Sequence, residues 1–126
     1  MYFLWDCTVP GEEYTPWTNA RYGLELTFDT TNILPSVRFI DEIFHPNINR
    51  FYSMTLRCKN IVGNPHGIKD ILRSIQRLLS QPDLSEATNW KAGQMFVSNQ
   101  NLYDSQTRLL ARQLASKEEE GTNRNS

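Results

Sequence analysis

From position 22 to 28 the chain reads Tyr-Gly-Leu-Glu-Leu-Thr-Phe, with large apolar residues at every even number and Gly, Glu and Thr between them. A period of two sets one side of an extended chain against a core and the other towards solvent, so this segment is predicted to be a half-buried strand. Residues 2–9 are rich in aromatic and β-branched positions and supply its partner. The join, residues 10–17, has turn chemistry at both ends, Pro10-Gly11 and Pro16-Trp17. A third strand fits residues 36–40, entered through Pro35. The first half is thus expected to be an antiparallel meander.

The second half changes period. Ile68, Ile71, Leu72, Ile75, Leu78 and Leu79 fall at i, i+3, i+4, i+7, i+10 and i+11, one apolar stripe along a helix. Gly67 before it and Pro82 after it supply its stops. A shorter helix is expected over residues 89–97, and a last one over 101–116 with Leu102, Leu109, Leu110 and Leu114 pointing inward. Trp17 and Trp90 read as packing residues, and Cys7 as a residue of the sheet. Strands followed by helices make an α+β domain over residues 1–116, and the polar residues 117–126 are expected to fray.

Composition narrows the function. A length of 126 residues fits one domain, and 39% hydrophobic with 21% charged residues suits a globular chain with one core. Thirteen basic against fourteen acidic side chains, with no basic stripe, leave no electrostatic footprint for nucleic acid. No apolar run is long enough to span a bilayer, and the opening MYFLWDC lacks the charged start of a signal peptide. A cytoplasmic or nuclear location without a membrane partner is expected. Two cysteines, Cys7 and Cys58, form no disulfide framework; two histidines without a cysteine pair make no metal site; no glycine-rich phosphate loop is present. No cofactor is expected.

The stretch that carries chemistry is Phe39-Ile40-Asp41-Glu42-Ile43-Phe44-His45-Pro46-Asn47-Ile48-Asn49. Pro46 fixes its own φ and biases His45 towards an extended backbone, so the strand turns here. Alone, His-Pro-Asn also fits an ordinary turn. In its setting the order resembles the ubiquitin-conjugating enzymes from about Met1 to Leu114. The matching pieces are Trp5 and its strand, Pro10-Gly11 to Pro16-Trp17, the proline-led Pro35-Ser36-Val37-Arg38-Phe39, then His45-Pro46-Asn47. Ser74-Ile75-Gln76-x-Leu78-Leu79, Pro82, Asn89 and Ala92 complete the series.

The resemblance implies a meander, a central helix and C-terminal helices. It also implies ubiquitin or a ubiquitin-like modifier as a partner, together with a conjugating enzyme or RING-type ligase. In that family a cysteine thiolate accepts the modifier as a thioester and yields it to a lysine. The asparagine of His-Pro-Asn orders the loop and helps an oxyanion, the role implied for Asn47. An acidic residue beyond the long helix orients the incoming amine, and Glu86, next to Ser85, stands there.

The cysteine is where the chain departs. The family places it eight residues after the asparagine, which here is Thr55; an unactivated hydroxyl cannot replace a thiol. Cys58 stands eleven residues after Asn47, flanked by Arg57 and Lys59, cations that favour a thiolate. Using Cys58 needs three inserted residues before it, and loops absorb insertions readily. The ligase-facing loops are also reduced: Leu34-Pro35 replaces paired prolines, Asn32 replaces an aromatic, and Gly63-Asn64-Pro65-His66 keeps only Pro65 of a tryptophan-serine-proline run. The chain begins at the first strand without the family's preceding helix, so uncovered apolar surface is expected around Tyr2, Leu4 and Trp5. The sequence therefore supports a non-catalytic variant acting as a binding subunit, with two alternatives: an enzyme using Cys58, or an interaction domain of the related RWD type unconnected with ubiquitin transfer.

Overall fold

In the computed structural model, backbone is described for residues 2–61, 63 and 67–124, and side chains as far as Glu118. Four strands run in sequence order, β1 (Tyr2–Pro10), β2 (Arg21–Asp29), β3 (Ser36–Phe39) and β4 (Ser53–Met54), each antiparallel to its neighbour. The register sets Trp5 opposite Leu26, Cys7 opposite Leu24 and Val9 opposite Tyr22. The even positions Tyr22, Leu24 and Leu26 of β2 are buried, as the alternation predicts, with Phe28 only half-buried, and with Val37 and Phe39 they form the floor of the core. The two-residue β4 had no legible sequence signature, since a strand this short has no period to read.

The expected central helix is present as α1 (Ile68–Ser80), with Ile71, Ile75, Leu78 and Leu79 buried over the sheet and Ile68 and Leu72 at the margin. Two further helices follow, α2 (Trp90–Ser98) and α3 (Gln100–Arg124). The helical pattern expected to stop at Ser116 continues to Arg124; Ala115, Lys117 and the glutamates after it favour a helix and need no core face. The inward face of α3 differs from the leucine pattern. Tyr103, Thr107, Ala111 and Leu114 are buried at i, i+4, i+8 and i+11, while Leu102 and Leu109 face out and Leu110 is half-buried. Helical geometry decides this: with Leu114 buried, residues 103, 107 and 111 share its side, and Leu109 lies on another.

The connection between β1 and β2 folds back over the core. A Cβ on Gly11 would stand 1.7 Å from the carbonyl oxygen of Trp17, so only glycine lets the two backbones approach this closely. Trp17 is buried as expected, and its carbonyl accepts the Tyr22 hydroxyl at 2.7 Å. Trp90 is not a packing residue: at the first position of α2 it is 68% exposed. At the other end of the sheet Tyr2, Leu4 and Trp5 are exposed as expected, with Trp5 edge-on to Phe28. Among the described residues no helix is long and apolar enough to cross a membrane.

Candidate functional site

His45 is the anchor of the region. It is fully buried, with its ring centroid 5.7 Å from that of Trp17 in an edge contact. Its Nδ1 accepts the Asn47 backbone N–H at 2.9 Å, which leaves the proton on Nε2. That N–H points at the carbonyls of Leu78 and Leu79, 2.9 and 3.0 Å away, at the end of α1. Burial pushes the imidazole pKa down to about 4, against the two carbonyls, which favour the cation. The neutral histidine holds the helix end with its one N–H and is not a cationic acid near pH 7.

The next two residues extend the clamp. The Pro46 carbonyl accepts N–H groups from Thr88 and Asn89 at 2.9 and 3.0 Å, and Asn89 caps α2 by accepting from Ala92. Asn47 spends its whole side-chain amide on the loop after α1. Its Nδ2 donates to the Asp83 and Glu86 carbonyls at 2.8 and 3.2 Å, and its Oδ1 accepts the Asp83 N–H at 2.8 Å. Three consecutive residues therefore hold the end of α1, the 83–86 loop and the start of α2.

Beyond Asn47 the chain reverses tightly. Ile48 bridges to Met54, and the Asn49 N–H donates to the Ser53 carbonyl at 3.0 Å. The Asn49 Oδ1 accepts the N–H groups of Phe51 and Ser53, and Tyr52 takes a left-handed φ of 68°. Met54 is also paired with Val37 of β3. The interval from Asn47 to Thr55 is thus spanned by a hydrogen-bonded turn and β4, and residues 55–57 lead on from β4 outside any regular element. Thr55, exposed, is the first residue after β4.

Cys58 opens a 3-10 turn, Cys58–Asn60, and is exposed. It lines a groove with Asn32, Pro35 and Thr55, so the residues singled out in the first ligase-facing loop do meet both candidate nucleophile positions; Pro35 itself is buried. Pro65 lies outside the described residues. Residues 59 and 60 turn the other way. Lys59 Nζ stands 3.1 Å from Asp83 Oδ2, 3.1 Å from Ser85 Oγ and 3.9 Å from Glu86 Oε1, and Asn60 Nδ2 donates to Asp83 at 3.3 Å. Arg57 reaches Glu86 at 3.2 Å. The cations flanking Cys58 in sequence are therefore held by the carboxylates across the loop.

Asp83 is the residue that sequence reasoning missed. The Ser85 hydroxyl, then Lys59 and Asn60, hold its carboxyl down at about pKa 2. Its Oδ1 also accepts the Ser85 N–H, capping the 3-10 turn Leu84–Glu86. The signal was available: an aspartate after Pro82 at a turn entry is a capping residue. Among the described residues no group of three or more His, Cys, Asp or Glu side chains could hold a metal ion.

Comparison with known proteins agrees with this layout. The model of the family "Ubiquitin-conjugating enzyme" matches residues 1–111. Ubiquitin-conjugating enzyme E2 2 of Candida albicans is 32% identical over 105 residues, covering 79% of this chain, and that of Debaryomyces hansenii is 33% identical over the same length and share. The chain spans 57% and 61% of these two relatives' own lengths. A crystal structure from Plasmodium yoelii, of a protein assigned to the ubiquitin conjugating enzymes, superposes with a TM-score of 0.76 at 27% identity, over 90% of this chain and 76% of that one. An antiparallel sheet with α1 across it, His-Pro-Asn clamping the loop beyond, and a family match over most of its length together establish that the chain belongs to the ubiquitin-conjugating enzyme family.

Proposed function

We propose that this chain works in ubiquitin or ubiquitin-like conjugation as a subunit that carries no thioester and binds the modifier, an active conjugating enzyme or a RING-type ligase. The observation that carries this reading is Thr55 itself: it stands eight residues after Asn47, the spacing at which the resemblance places the cysteine, and it follows the closed Ile48–Met54 turn directly as an exposed residue. An unactivated threonine hydroxyl is a poor acyl acceptor near neutral pH. The role of Asn47 is positional, since its amide is committed to Asp83 and Glu86. Glu86, implied as the group that orients an incoming lysine, is engaged by Arg57 and Lys59 of the chain itself.

A second reading has one observation in its favour: Cys58 is exposed beside the groove of the 31–37 loop. In that case Cys58 is the thioester nucleophile, and Asn47 and Glu86 support it. Incubation with activating enzyme, ATP and ubiquitin separates the two. The expected result is no adduct reversible by thiol, with saturable binding when labelled ubiquitin or a partner conjugating enzyme is titrated in. A reversible adduct that disappears in Cys58→Ser overturns the first reading. Absence of binding to ubiquitin and to conjugating enzyme overturns its partner assignment.

A further inference from the structure

A second concave surface lies away from Thr55 and Cys58, between residues 42–52, the start of α2 and the side of α3 that carries Gln106, Leu109 and Gln113; its volume is about 980 Å³. We propose that this groove binds an extended peptide segment in which an acidic residue neighbours a large apolar one. The proposal does not depend on which residue, if any, carries a thioester.

The apolar half follows from two misfits. Trp90 and Leu109, the residues that the hydrophobic pattern assigns to packing, line this groove and are 68% and 52% exposed. Half-buried Phe44 and Tyr52 line it with them. An exposed tryptophan beside aliphatic and aromatic neighbours in a concave setting is the usual anchor of a binding surface.

The acidic half follows from charge. Arg50 and Lys91 line the same groove and make no ion pair among the described residues; Arg50 instead lies 4.8 Å over the Phe51 ring. The groove's carboxylate, Glu42, sits at its other end, where Leu110 and Gln113 lead into the cleft of the Asp41–Lys117 pair. The groove is therefore polarised, with cations beside Trp90 and an acid where α3 leaves. A peptide carboxylate meets Arg50 and Lys91 while its apolar neighbour covers Trp90 and Leu109. The cationic end is continuous with Thr88 and Asn89, whose N–H groups bond Pro46, so a bound segment runs towards the 83–86 loop.

The test is selection of a phage-displayed random peptide library on the immobilised full chain, followed by titration of the enriched peptides as synthetic fluorescent probes. Enrichment of Asp or Glu beside Leu, Phe or Trp is expected, with affinity that falls as salt rises. Trp90→Ala and Lys91→Glu should each weaken binding about tenfold or more, since exposed anchors are removed without touching the core. Thermal melting of both variants verifies that the fold is kept, and Leu109→Glu gives a third, independent probe of the same wall. Failure to enrich any peptide, recovery of basic motifs, or binding unchanged in all three folded variants overturns the proposal.

Discussion

Replacing Asn47 by alanine removes three hydrogen bonds at once, two donated to the Asp83 and Glu86 carbonyls and one accepted from the Asp83 N–H. A neutral hydrogen bond contributes a net ~1 kcal/mol, so the intact set is worth about 3 kcal/mol. Residues 84–86 are exposed and water recovers part of this, which brings the expected loss to about 2 kcal/mol. For a domain of this length that corresponds to a melting temperature lower by about 8 °C. The clamps of His45 and Pro46 remain in Asn47→Ala, so the fold should persist while the 83–86 loop opens. Hydrogen exchange at Ser85 and Glu86 should accelerate far more than exchange in β2. A variant that melts within about 2 °C of the parent, with unchanged exchange in that loop, would refute the assignment of Asn47 as its fastener.

Other expectations rest on separate observations. Because folding depresses the His45 pKa from 6.5 to about 4, the unfolded chain binds the extra proton between those values; stability is full above pH 6.5 and falls as pH drops towards 4, by up to about 3 kcal/mol. Asp83, depressed from 3.8 to about 2, adds a further loss below pH 3.8, so urea midpoints should fall in two stages, with the upper stage missing in His45→Gln. Ile75→Ala, at a fully buried position against the sheet, should cost about 2–5 kcal/mol in urea unfolding. Lys59→Ala removes exposed ion pairs and should change stability by under ~1 kcal/mol; a larger loss would mean that the 57–60 turn depends on Asp83 and Glu86 for its place.

The sheet was legible because β2 alternates cleanly and β1 and β3 inherit its register, and α1 because six apolar residues share one stripe. Of the α3 leucines expected inward, Leu114 is buried and Leu110 half-buried, while Leu102 and Leu109 misled for a physical reason. A long helix packing by one narrow side buries small and aromatic residues such as Ala111 and Tyr103, and hydrophobicity alone does not rank those above Leu102 and Leu109. Within the site, His45-Pro46-Asn47 was readable as a motif, yet its bonds run 33 to 43 residues ahead, to the end of α1 and the 83–89 loop, which no local pattern encodes. Arg57 and Lys59 looked like partners of Cys58 because sequence gives only adjacency; the 3-10 turn directs them to Glu86 and Asp83.

On the proposed reading, what separates a binding subunit from an enzyme in this chain is the atom at position 55. Intact-mass analysis after incubation with activating enzyme, ATP and ubiquitin reads it directly. The parent chain should stay at its own mass, while Thr55→Cys should gain one modifier through a bond that thiol reverses. If instead the parent is charged and Cys58→Ser abolishes the charging, the nucleophile lies in the 3-10 turn and the account given for Thr55 is wrong.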